Sequence, residues 1–236
     1  MDEGSTSPRP ITNGMENTKL KERKVRAKKI IRELRKQFPD SKIELNYGNN
    51  FELLVSVILS AQCTDKRVNE VTATLFKKYK KLDDYVNADI SEFEQDIRST
   101  GFYRNKAKNI LGAAKVVKND FIGKLPKTME EMLTIPGVAR KTANVVLGNA
   151  YNIYLGIAVD THVRRLALKL DLTSSRDPVK IERDLCELIP KDDWKWVNHQ
   201  MVMYGRYICK ANKHECDCHP LTKIYPPAAH IWPKSR

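Results

Sequence analysis

The chain has 236 residues, 42 Lys and Arg against 29 Asp and Glu, and a formal net charge of +13. That length admits one large or two small domains with a substantial core, and the charge points to a polyanionic partner, with solubility or an anionic membrane surface as the plainer readings. No apolar run approaches the ~20 residues of a membrane span, and five cysteines without framework spacing exclude a disulfide scaffold and suit a reducing, intracellular compartment.

Residues 1–21 read as a disordered tail: the first 18 are polar and rich in Ser, Thr, Pro and Gly, with no hydrophobic segment. In KLKERKVRAKKIIRELRK, residues 19–36, Ala27, Ile30, Ile31, Leu34 and Phe38 form an apolar stripe at helical spacing opposite a basic face. That face is either solvated or turned toward nucleic acid. Helical periodicity continues over 50–62, 66–79, 89–98, 103–121, 127–134, 139–151, 160–169, 178–188 and 193–208. Asp177-Pro178 and Asp193 mark helix starts. The segment LLVSVILSA, residues 53–61, predicts a buried helix. No run alternates as a strand would, so the predicted class is all-α.

The richest stretch is TIPGVARKTANVVLGNAYNIYLGIAVDTHVRR. Pro136 and Gly137 break the preceding element, and Ala143, Val146, Leu147 and Ala150 then recur at helical steps. The free N–H groups at such a helix start suit a phosphate. Lys141 lies in the first turn beside Arg140, where a helix N-terminus and a cationic neighbour both disfavour an ammonium. An amine there could attack a sugar carbon or only contact phosphate. Asp160 could stabilise developing positive charge or cap the helix that follows. His162 reads as structural.

This stretch resembles the helix-hairpin-helix and following loop of DNA glycosylases in the endonuclease III family. FELLVSVILSAQCTDKRVN (51–69), STGFYRNKAKNI (99–110), LPKTMEEMLTIPGVARKTANVVL (125–147), GIAVDTHVRRLALKL (156–170) and MYGRYICKANKHEC (203–216) resemble its signatures in family order, over about residues 25–216. The resemblance implies a six-helix barrel domain at 43–153, a second helical domain from 22–42 plus 154–236, and a DNA-binding cleft between them. It also implies a bifunctional DNA glycosylase and AP lyase acting on oxidised pyrimidines in duplex DNA, with a lysine imine intermediate and β-elimination. Lys141 is then the nucleophile and Asp160 its partner. Gln62 and Phe102 match residues that fill the space of an extruded nucleotide. Gly137, Ala139 and Arg140 fall on DNA, with phosphate contact resting on the Gly137 and Ala139 N–H groups and no positive φ needed at Ala139. The partner is damaged double-stranded DNA, met by a monomer without a membrane, in nucleus or nucleoid. A mismatch glycosylase removing T or U opposite G, and a non-catalytic DNA-binding protein, are the rival readings.

The C-terminal region departs from the family. Many relatives hold a [4Fe–4S] cluster through C-x6-C-x2-C-x5-C. Cys209 and Cys216 keep the first spacing, but the third position is His219 and the fourth Tyr225, with Cys218 displaced by one. Three readings stay open: the cluster is lost and packing by Ile224, Tyr225, Ile231 and Trp232 replaces it; Cys209, Cys216, Cys218 and His219 or His214 hold zinc; or an incomplete cluster persists. The chemistry itself requires no cofactor.

Overall fold

Half of the α-helices among the described residues begin where the sequence offers a side-chain oxygen to the orphan N–H groups of a first turn. The computed structural model describes residues 12–233. Its helices are α1 (Thr12–Gln37), α2 (Asn50–Leu59), α3 (Asp65–Lys78), α4 (Leu82–Val86), α5 (Ile90–Ile97), α6 (Tyr103–Asp120), α7 (Met129–Met132), α8 (Arg140–Tyr151), α9 (Thr161–Lys169), α10 (Pro178–Leu188), α11 (Trp194–Met203) and α12 (Pro220–Ile224). Side chains of Asn49, Thr64, Asp89, Thr128, Asp160 and Asp177 cap α2, α3, α5, α7, α9 and α10, each cap stabilising by about 1 kcal/mol. No strand occurs among the described residues, and the chain is all-α.

Three expectations about element limits change. Helix α1 starts at Thr12, inside the segment read as a tail, whose residues 1–11 lie outside the described residues. Leu20 packs on a core and Arg23 and Arg26 grip Asp171, so tertiary contacts anchor a helix that good formers such as Met15 and Glu16 extend backward. Helices α4 and α12 are five-residue turns, too short to show a period. The helix expected over 193–208 is α11 followed by a π-helical turn, Tyr204–Ile208. There the Gly205 carbonyl accepts from the buried Arg165 guanidinium at 3.0 Å, so the turn widens around a side chain.

Apolar side chains gather in two cores. The first takes Leu53, Leu54, Val57 and Leu59 of α2, Val68 and Leu75 of α3, Phe93 and Ile97 of α5, Ile110 and Ala114 of α6, and Ala143, Val146 and Leu147 of α8. Every residue from Leu53 to Leu59 is buried, as a central helix must be. The second core takes Ala27, Ile30, Ile31 and Leu34 of α1 with Ile157, Val163, Leu166, Ile181, Leu185, Val197 and Met201. Burying each large aliphatic side chain stabilises by roughly 1.5–3 kcal/mol, so the α1 stripe suffices to fasten the N-terminal helix to the C-terminal half. Polar links join the two cores. Arg206 of the π-helical turn pairs with Glu44, and with Asp65 at 2.7 Å, and Tyr207 donates to Glu44 at 2.8 Å.

Candidate active site

The hairpin is α7, a tight turn, and α8. Gly137 has φ +78°, and a Cβ there would lie 2.8 Å from Asn109 Cβ. Both the left-handed backbone and the close approach of α6 require glycine. Ala139 is extended, φ −92° and ψ 170°, a conformation open to any residue, so a second glycine is not needed. Unlike the caps named above, Ala139 has no side-chain oxygen to offer. The Ile135 and Val138 N–H groups bond within the turn; Gly137 and Ala139 are exposed, and their N–H groups take no part in that ladder. A helix start with unsatisfied N–H groups at the surface favours an anion. Lys141, the second residue of α8, is also exposed.

Arg140 was expected on DNA. Its guanidinium forks onto Glu182 of α10, with Nε to Oε2 at 2.8 Å and Nη2 to Oε1 at 3.1 Å, and the side chain stays 43% exposed. Asn144, one turn along α8, donates to the same carboxylate at 3.0 Å. Glu182 is only 6% exposed, and Gly156 abuts it so closely that a Cβ would meet Oε1 at 1.9 Å. One buried carboxylate therefore bonds the start of α8, which carries Lys141, and lies against the loop that runs on to Asp160. Two more contacts pin that loop. Asn198 donates to the Ala158 carbonyl at 2.5 Å, and Tyr154 packs where a Cβ on Gly148 would come within 2.9 Å. Asp160 ends the loop as the cap of α9, its Oδ1 accepting from Val163 N–H at 2.8 Å. The cap uses Oδ1, so Oδ2 is not tied up by it. His162 is half-buried, and burial holds its imidazole below the usual range, with Arg206 and Arg165 reinforcing that against the pull of Asp160. It packs beside Gly205.

Gln62 and Phe102 share an unusual backbone. Their φ values are +53° and +47°, the left-handed region that costs a non-glycine residue about 1–2 kcal/mol. Both are exposed, Phe102 at 65%, although an aromatic ring gains from burial. Strain together with an exposed ring is what a side chain held ready for a ligand would show. Beneath them lies a residue that sequence reasoning missed. Lys106 of α6 is 4% exposed, and its ammonium donates to the carbonyls of Leu59 and Thr100, both at 2.8 Å. Leu59 is three residues before Gln62 and Thr100 two before Phe102, so one buried cation anchors both loops.

The C-terminal loop brings Cys209, His214 and His219 together, one ligand atom of each lying within 4.8 Å of the others. This group could bind a metal ion. It does not suit a four-thiolate cluster. Cys218 is exposed, and Tyr225, at the family's fourth position, packs under the Arg26 guanidinium at 4.1 Å.

No helix among the described residues is long and apolar enough to cross a membrane. The family model for HhH-GPD superfamily base excision DNA repair proteins matches residues 55–191. Endonuclease III of Synechocystis is 48% identical over 210 residues, covering 89% of this chain and 96% of its own. A non-covalent endonuclease III–DNA complex superposes with TM-score 0.82 at 42% identity, covering 87% of this chain and 96% of that one. A trapped endonuclease III–DNA covalent intermediate superposes with TM-score 0.78 at 39% identity, covering 93% and 98%. With that identity along nearly its whole length, the chain belongs to the endonuclease III family of HhH-GPD base excision repair proteins, DNA glycosylases that are also AP lyases.

Proposed function

We propose that the chain removes oxidised pyrimidines from duplex DNA, with Lys141 as nucleophile and Asp160 as its electrostatic partner. The observation that carries this reading is the buried Glu182 carboxylate, which accepts from Arg140 and Asn144 of α8 and packs against Gly156 of the Asp160 loop. A shared rigid anchor is what two groups acting on one sugar need, because small misplacements lower the rate steeply.

The Gly137–Ala139 turn grips a phosphate through its N–H groups. Gln62 and Phe102 enter the stack and fill the gap left by the extruded nucleotide. The Lys141 amine attacks C1′, and the glycosidic bond breaks with its electron pair leaving on the base, which takes up a proton. Asp160 offsets the positive charge that builds at C1′ and helps move protons at Lys141. The C1′ adduct opens to an imine, a proton leaves C2′, and the C3′–O bond breaks with its electrons on the 3′ phosphate. Water then hydrolyses the imine and frees Lys141. An amine and a carboxylate suffice for these steps, and the Cys/His group of the C-terminal loop, whose donors suit zinc better than a cluster, stands outside them. We read 43–153 and 22–42 plus 154–236 as the two domains, supported by the two cores, with DNA in the cleft between.

The test is incision of duplexes carrying thymine glycol, a G·T mismatch, or neither. Strand cleavage with a β-elimination end on thymine glycol is expected. Thymine release from the mismatch alone, without cleavage, would select the mismatch reading instead.

A further inference from the structure

The C-terminal loop contains two orphaned nitrogens. His214 Nε2 and His219 Nδ1 are sealed from solvent and hydrogen-bond to nothing among the described residues. Leaving a buried polar atom unpaired costs about 1–3 kcal/mol, so two in one loop call for a common partner. Their rings stand 5.1 Å apart, and one ring nitrogen of each falls with the buried Cys209 sulfur in a group whose three ligand atoms lie within 4.8 Å of one another. The opposite nitrogen of His214, Nδ1, is 2.7 Å from the Asn212 carbonyl. A carbonyl can only accept, so the proton sits on Nδ1 and Nε2 carries the lone pair. Metal-bound histidines are commonly oriented by such a bond.

We infer that Cys209, His214 and His219 bind a single zinc ion, with the buried Cys216 thiolate as fourth ligand, where relatives of this chain carry an iron–sulfur cluster. Zinc takes thiolate sulfur at about 2.3 Å and imidazole nitrogen at about 2.0–2.1 Å in a tetrahedron. Those bond lengths put neighbouring ligand atoms roughly 3.3–3.8 Å apart, so modest side-chain rotations close the observed spread of Cys209, His214 and His219. Cys216 lies two residues past His214, is 1% exposed, and makes only a weak 3.8 Å contact to the Ala229 carbonyl. Two thiolates and two neutral imidazoles balance the ion's charge.

The surroundings are built to hold this loop. Arg165 of α9 donates to the carbonyls of Cys209 at 2.7 Å and Lys210 at 3.1 Å. Lys169, one turn on, donates to the Ile231 carbonyl at 2.9 Å and lies 3.5 Å over the Trp232 ring. Trp232 sets its edge against His214 at 4.9 Å. Helix α9, which carries both cations, connects the site to Asp160 at its other end. Zinc here fastens the tail and supports α9; it supplies nothing to the lyase chemistry.

The test is metal analysis of the full chain, purified without chelator from cells supplied with both zinc and iron. One zinc per chain, with no iron or acid-labile sulfide, is expected. Exchange for cobalt should give the visible spectrum of a tetrahedral thiolate site. His214→Ala with His219→Ala, and Cys209→Ser, should abolish both signals, whereas Cys218→Ser should keep them. Chelation should lower the melting temperature. Cobalt uptake by the unsubstituted chain does not depend on the variants folding. A chain that takes up neither zinc nor cobalt, one that carries iron and sulfide, or a double histidine variant that keeps its zinc overturns the proposal. Borohydride trapping on the same preparations separates the two readings, since an unsubstituted chain that takes up neither metal yet still traps DNA refutes the site and leaves the lyase assignment standing.

Discussion

Replacing Lys106 by methionine keeps the length and apolar packing of the side chain and removes only the ammonium. Two carbonyls then lose their donor, Leu59 in the last turn of α2 and Thr100 at the end of a 3-10 turn. Hydrogen bonds from a charged donor contribute about 1.5–3 kcal/mol each, and a cation beside the carbonyl end of a helix adds about 0.3–1 kcal/mol. Against this, burial already disfavours the charged amine and holds its pKa below the ordinary lysine value, so removing it relieves a desolvation penalty. A net loss of about 2–4 kcal/mol remains, well outside the few tenths typical of a surface lysine. Urea unfolding reads this directly. The loops of Gln62 and Phe102 lose a common anchor, so single-turnover incision of a lesion duplex should slow as well, while affinity for undamaged duplex, which rests on the hairpin, changes little. A stability change under about 1 kcal/mol with unaltered incision would refute the anchoring argument.

Phe102→Ala should slow single-turnover incision roughly tenfold to a hundredfold, the equivalent of one lost stacking contact of about 1–3 kcal/mol, while its melting temperature stays close to that of the parent because the ring is 65% exposed. Glu182→Gln should destabilise by about 1–2 kcal/mol, below the usual toll of breaking a buried ion pair because Arg140 is 43% exposed; if incision is untouched, the carboxylate does not position Lys141 and Asp160. Asp171 gives a pH signature. Burial pushes its carboxyl up, but hydrogen bonds from Arg23 and Arg26 more than offset this and hold it below its ordinary value. A depressed folded pKa contributes stability above the unfolded value of about 3.9 and loses it as pH falls through the folded value. The gap in melting temperature between the parent and Asp171→Asn should thus be widest near neutral pH and narrow on acidification below pH about 4.

The hairpin was legible in the chain because its demands are local. Pro136-Gly137, a following helical period and a lysine in the first turn all fall within a dozen residues. The contacts that hold that hairpin in place were not, because they join distant residues. Glu182 lies 42 positions from Arg140, and nothing near either names the other. Lys106 sits among other basic residues of α6, and only the fold shows that it alone is buried against two carbonyls. The left-handed backbone at Gln62 and Phe102 follows from tertiary packing, since neither residue type favours it. Metal donors were legible by type but not by grouping. Cys218 follows the spacing closely, yet it is exposed, while His214 joins Cys209 through the path of the loop.

The most direct test of the account is borohydride reduction of the chain on duplex DNA carrying thymine glycol, followed by mapping of the DNA-bearing peptide. The account predicts one covalent complex with the adduct on Lys141, absent from Lys141→Ala. An adduct on another residue, or a Lys141→Ala protein that traps as well as the parent, would contradict it.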